Sequence, residues 1–272
     1  MLKATAVTCL WRIAMSRPVA KSPSIYRCNP LPELIEGRGV CLLQHFNDAL
    51  PEMTVRQRAQ RWLHQVLAAY LAIPVDQVRI ARTSTGKPWL PEYTWLRFNL
   101  SHSAHSAAIA LCREYEVGVD LEQISGKVAV KKAIAQRFFH ADEQRWLALD
   151  EANYLTRFTQ LWSMKEAWLK ARGTGLTQPL RSFCVIPQAG ASGVAQVMVA
   201  PPISIGQIHY CQVQGEGRFC LAYGAILGAQ QPSVQWQLGY HQTESRLFTP
   251  AVYEQSEVEI SLAKEPVAPV ST

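Results

Sequence analysis

The sequence predicts an α+β fold. Three observations carry that expectation. Apolar residues recur at helical spacing in 54–72 and 153–172, short apolar runs with turn signals fill 78–123, and 181–240 reads as strands broken by Gly and Pro. The chain has 272 residues and is 48% apolar, enough for one large domain or two modest ones.

The elements follow in order. ATAVTCLWRI, near the start, reads as a first strand; Arg12 interrupts its apolar run, which argues against a secretory signal. No later stretch reaches the roughly 18–20 apolar residues of a membrane span. Residues 54–72 place Trp62, Leu63, Val66, Leu67 and Tyr70 on one helical stripe, and Pro74 ends the helix. Residues 78–84 and 95–100 read as short strands around the turn TSTGKPWLP. SAAIALC, 106–112, is a buried strand, and EVGVDLE continues as another. Residues 128–139 and 141–150 read as helices, followed by a long helix over 153–172 that stops at Gly173. Beyond about 250 the chain is polar and rich in Glu, Pro and Val, so 251–272 is expected to be a loose tail.

Charge and cysteine content exclude some functions. The net charge is +6, yet no run of Lys/Arg exceeds two and no basic–aromatic repeat occurs, so nucleic acid is not the expected partner. The seven cysteines are scattered, without a C-x-x-C pair. That pattern indicates neither a disulfide framework nor a zinc site, and it fits buried thiols in a reducing cytosol.

The chemistry is concentrated in GVDLE, 118–122, and LWSMKEAWLK, 161–170. Residues two apart on a strand face the same side, so Asp120 and Glu122 point one way while Val119 and Leu121 point to the core. On the helix, Glu166 and Lys170 are four apart and share a face with Trp162, whereas Lys165 lies about 100° away. If helix and strand pack together, Asp120, Glu122 and Glu166 converge. Such a set suits Mg²⁺, which takes a few protein oxygens and completes its shell with water and phosphate. Taken singly, D-x-E on a strand and E-x-x-x-K on a helix are ordinary surface pairs; the apolar hosts raise them above that. Removing Asp120 should relieve repulsion, so metal-free stability is expected to hold or rise. FNLSHS, 98–103, adds Asn99, Ser101 and His102 between apolar strands. TGKP, 85–88, is a turn and lacks the P-loop pattern.

The order TGKP, FNLSHS, GVDLE, RFFHADE, LWSMKEAWLKARGTGL resembles the 4′-phosphopantetheinyl transferases of the surfactin-synthetase-activator (Sfp) type. The resemblance runs from about Thr83 to Val185, over a third of the chain. It implies a pseudo-dimer of two similar α/β halves, here 1–114 and 115–250, with coenzyme A between them. It implies transfer of the 4′-phosphopantetheine arm of coenzyme A to a serine of an acyl, peptidyl or aryl carrier protein, with release of adenosine 3′,5′-bisphosphate. Asp120, Glu122 and Glu166 would hold Mg²⁺, and Lys170 would contact the pyrophosphate. Gly86, Lys87 and Pro88 would sit by the nucleotide, and Ser101 and His102 by the 3′-phosphate. Relatives often carry a basic cluster before the first long helix. Here Arg38 precedes that helix and Arg56, Arg58 and Arg61 lie within it; Arg56 is taken for the 3′-phosphate. The base would be Glu166 or a metal-bound water. Carrier proteins of this class are usually acidic, and Lys131, Lys132, Arg137 and Arg145 fall where the family receives them. A monomeric, cytoplasmic enzyme is expected, without membrane contact. Two other readings remain: a Mg²⁺-dependent nuclease or phosphohydrolase using the same carboxylates, and a non-catalytic module that binds coenzyme A or a carrier protein.

Overall fold

The computed structural model describes residues 26–27, 30–46, 53–113, 115–187, 192–199, 203–214, 217–226 and 234–240. The strand expected in ATAVTCLWRI and the tail expected after 250 lie outside them.

Two five-stranded sheets organise these residues. The first has the order β1–β12–β2–β6–β5, from Tyr26–Arg27, Gln235–Tyr240, Arg38–His45, Ser106–Arg113 and Leu96–Ser103. The second has the order β7–β11–β10–β9–β8, from Val117–Gln123, Arg218–Ala225, Ile203–Gln214, Ser192–Val199 and Cys184–Ile186. A two-stranded ribbon, β3 (Ala81–Arg82) and β4 (Pro88–Trp89), carries the TGKP turn.

Helix α1, Val55–Leu71, packs on the first sheet. Thr54 and Gln57 form a capping box that satisfies the first free amides, and Ala72 closes the helix in the left-handed conformation two residues before Pro74. Trp62, Leu63, Val66 and Leu67 are buried against Leu42, Phe98 and Ile109, as the helical stripe requires. Helices α2 (Val128–Phe138), α3 (Ala141–Ala148) and α4 (Tyr154–Arg172) cover the second sheet, and Gly173 caps α4 at φ +67°. A third apolar layer joins the sheets, with Cys41, Ala108 and Ala110 facing Val119, Leu121 and Leu221.

Three details differ from the sequence expectation. The strand expected at 95–100 runs on to Ser103, taking in all of FNLSHS. The strand expected at 78–84 shrinks to Ala81–Arg82 and pairs with Pro88–Trp89 from within the expected turn, because Thr83, Gly86 and Lys87 use their backbone groups there. Strand β12, from the chain's second half, pairs in parallel with β2 of the first sheet, as Leu238 completes the apolar layer between the sheets.

Strand β7 sits unusually close to α4, and Gly118 permits it. A Cβ at that position would collide with the carbonyl oxygen of Ala167 and the amide of Ala171, both main-chain atoms of α4. Backbone cannot swing aside as a side chain can. Gly118→Ala is therefore expected to lower stability by about 1–3 kcal/mol or more, read as a fall in the urea midpoint with unchanged m-value.

Candidate functional site

The joint between β5 and β7 builds the site. Side chains on one face of β5 accept the edge amides of β7: Asn99 from Val119 (3.0 Å), Ser101 from Leu121 (3.2 Å) and Ser103 from Gln123 (3.0 Å). This fixes the register of β7. Its odd residues enter the apolar layer, and Gly118, Asp120 and Glu122 turn toward α4.

Asp120 is 3% exposed. Its Oδ1 accepts from Lys170 Nζ at 2.6 Å and from the Ser101 hydroxyl at 3.0 Å. Lys170 also donates to Ser101 at 3.1 Å. Asp120 Oδ2 is buried without a hydrogen-bond partner. Glu122 accepts from Ser103 at 3.4 Å. Burial first and the Asp120 charge second raise its carboxyl to about 7, against the pull of Lys170, Lys131 and Ser103. Glu166 is raised for the same reasons, burial and then Asp120, with Lys170 opposing. The three carboxylates thus form one electrostatic unit around Asp120. Their oxygens do not all lie within 4.8 Å of one another, and Lys170 takes one side of Asp120. An orphaned buried oxygen beside two carboxyls whose pKa burial raises fits a hard divalent cation.

A basic corner adjoins this unit. His102 is exposed on β5, and burial of its inner side, then Lys170, then Arg56 lower its pKa. Arg56 lies in the first turn of α1, where no acidic residue offsets the helix dipole. The structure therefore brings His102 within electrostatic reach of both Lys170 and Arg56. Ser101 touches that group only through Lys170. It is buried, with its hydroxyl fully used between Leu121, Asp120 and Lys170.

The TGKP turn reaches the far end of α4. Gly86 takes φ +87°, a turn position suited to glycine. The Lys87 ammonium donates to Ala171 O in the last turn of α4 and pairs with Glu116, while Pro88 lines a shallow cavity with Trp89, Phe98 and Arg97. Burial lowers the Lys87 pKa despite Glu116.

Sequence reading missed the most deeply buried charge pair, and it placed Lys165 on a flank. Lys165 is 0% exposed. Its ammonium donates to Glu143 Oε1 (2.7 Å) and to Phe183 O (2.8 Å), above the Phe183 ring. Glu143, also fully buried, accepts from Val185 N at 2.7 Å and, through Oε2, from His140 N at 2.9 Å. The available signal was His140-x-x-Glu143, which forms a capping box at the start of α3. The pair locks α3, α4 and β8 together and so fixes the rotation of Glu166.

The 4′-phosphopantetheinyl transferase superfamily matches residues 116–223, which contain all three carboxylates. The 4′-phosphopantetheinyl transferase psf-1 of Bacillus pumilus is 34% identical over 122 residues, covering 44% of this chain and 51% of the relative. Sfp of Bacillus subtilis is 32% identical over 124 residues, 45% and 54% of the two chains. HetI of Nostoc sp. is 30% identical over 174 residues, 62% of this chain and 70% of the relative. The chain spans about half the length of the two Bacillus relatives.

Breaking the buried pair from one side leaves an uncompensated charge. Lys165→Met or Glu143→Gln should each cost about 3–5 kcal/mol. The double variant Lys165→Met/Glu143→Gln should recover part of that loss. A double-mutant cycle by denaturant unfolding measures the coupling, and additive losses would contradict it.

Asp120 and Glu122 should differ in metal-free buffer. Asp120 carries a cation partner, so Asp120→Ala strands Lys170 and lowers stability; this reverses the expectation from repulsion alone. Glu122 lacks such a partner. Its folded pKa, about 7, lies above the ordinary 4.5, so the folded state binds the extra proton. Stability is then lost as pH rises from about 4.5 through about 7. Glu122→Gln should flatten that limb in the chelated protein, as read by urea midpoints across pH.

Proposed function

The chain belongs to the 4′-phosphopantetheinyl transferase superfamily, and we propose that it transfers the 4′-phosphopantetheine arm of coenzyme A to a serine hydroxyl of an apo carrier protein. Adenosine 3′,5′-bisphosphate would leave. The observation that carries this reading is the Asp120–Glu122–Glu166 unit with its orphaned Asp120 oxygen, set beside a basic corner that suits a phosphorylated nucleotide.

Mg²⁺ suits the three carboxylates, and when bound it would neutralise the pyrophosphate as a Lewis acid. The remaining roles belong to the protein. Lys170, held by Asp120 and Ser101, offers its ammonium to the pyrophosphate and then to the leaving bisphosphate. Arg56 and His102 receive the 3′-phosphate. Gly86, Lys87 and Pro88 flank the nucleotide, with Lys87 already ordered against α4. A Glu166 carboxylate oxygen takes the proton of the attacking serine.

The halves 1–114 and 115–250 form a pseudo-dimer in this reading. Each half centres on a five-stranded sheet with a long helix on its outer face, and β12 returns to the first. A cleft between two such halves removes the need for a second copy, so the enzyme acts as a monomer. The net charge of +6, with Lys131, Lys132, Arg137 and Arg145 on α2 and α3, suits an acidic carrier protein. Five free buried cysteines among the described residues suit a reducing compartment such as the cytoplasm. No helix among the described residues is long and apolar enough to cross a membrane.

The test is a loading assay with coenzyme A, Mg²⁺ and a panel of apo carrier proteins. The expected result is a carrier heavier by the mass of the arm. Glu166→Gln should reduce turnover roughly 10²–10⁴-fold, far below Asp142→Asn, which leaves the three carboxylates in place. Binding of coenzyme A without any mass gain would support a non-catalytic module instead, and cleavage of nucleic acid would support the nuclease reading.

A further inference from the structure

We propose that His140, Asp142 and Cys184 form a second metal site, one for a borderline-soft divalent cation of the zinc type. The three residues come from two places in the chain. His140 and Asp142 open α3, and Cys184 begins β8. One ligand atom from each lies within 4.8 Å of the other two, with the histidine half-buried and the other two buried.

The donor set decides which metal fits. A thiol, an imidazole and a carboxylate provide a single oxygen, which is a poor set for Mg²⁺. Sulfur and nitrogen donors with one carboxylate are what Zn²⁺ and Co²⁺ take, and a tetrahedral ion would complete its shell with water. The imidazole is 31% exposed and supplies an entry path from solvent. Its Nδ1 lies 3.5 Å from Asp142 Oδ2 and accepts from Asp142 N; a metal on Nδ1 would take over that lone pair and release the helix-capping bond.

The surroundings can tolerate a cation. Glu143 and Lys165, the nearest interior charges, neutralise each other. Arg145 pairs with Asp142 from outside, and at 68% exposure it is free to swing into solvent. On binding, the thiol proton of Cys184 leaves to solvent and the thiolate takes the metal. The bound ion would tie the start of α3 to β8, the edge strand of the second sheet. Its donors are separate from Asp120, Glu122 and Glu166, so the site stands whether or not the transferase reading holds.

Co²⁺ is the probe, added to the chelator-stripped full chain in excess Mg²⁺. One equivalent should give a thiolate-to-cobalt charge-transfer band in the near ultraviolet, and Zn²⁺ should displace it. Asp120→Ala should keep the band, because it touches only the oxygen site. Cys184→Ala should lose it, and Asp142→Asn should weaken Co²⁺ binding at least about tenfold. Absence of the band at micromolar Co²⁺ would overturn the site, as would a band that survives Cys184→Ala. If Cys184→Ala does not fold, Asp142→Asn decides alone, and unchanged affinity in it rejects the proposal.

Discussion

The fold of this protein turns on three side chains acting as a strand. Asn99, Ser101 and Ser103 accept the outer amides of β7 that no neighbouring strand reaches. A buried amide left unpaired costs about 1–3 kcal/mol, so this ladder seals an edge that would otherwise be a liability. It also does something a strand could not. Ser101 accepts from Leu121 and donates its own hydroxyl hydrogen bond to Asp120, so structural and chemical parts share one hydroxyl. A slip of one residue would send Val119 and Leu121 toward α4 and bury Asp120 between the sheets. The register of β7 therefore decides where the carboxylates point.

A second constraint comes from helix α4. Adjacent residues on a helix differ by about 100°, and here that step separates two environments. Lys165 points into a dry pocket closed by Glu143 and Phe183, while Glu166 faces the partly wet unit around Asp120. A buried ion pair is weak evidence for net stability. Its value lies in orientation, because Glu143 bonds α4, β8 and the cap of α3 at once. Gly118 works from the opposite side by letting the helix backbone lie against the strand. Between these two features, Glu166 and Lys170 have little freedom to rotate away from β7.

Much of this was legible in the sequence. The α1, α2, α3 and α4 boundaries followed from apolar spacing, Pro74 and Gly173, because those are local signals. That Asp120 and Glu122 share one strand face, and Glu166 and Lys170 one helix face, was legible from periodicity; that the two faces meet was not. What failed was long-range. Asn99 and Ser101 read, with His102, as polar residues between strands and Ser103 was not singled out, because a side chain that replaces a backbone partner leaves no periodic signature. Lys165 read as a flank residue, since its burial depends on Glu143, 22 residues away. Strand β12 read as part of the second half, since parallel pairing across most of the chain leaves no turn to mark it.

The same limit bears on metals. A sequence search for zinc looks for paired cysteines at short spacing, and this chain has none. Cys184 meets His140 and Asp142 only because Glu143 draws β8 onto the start of α3 through Val185 N. The residue that orients the oxygen site thus also assembles the sulfur and nitrogen donors. The two donor sets share no ligand with each other or with the Glu143–Lys165 pair. In the proposed reading, oxygen donors alone around Asp120 suit a hard cation and mixed donors around Cys184 a borderline-soft one.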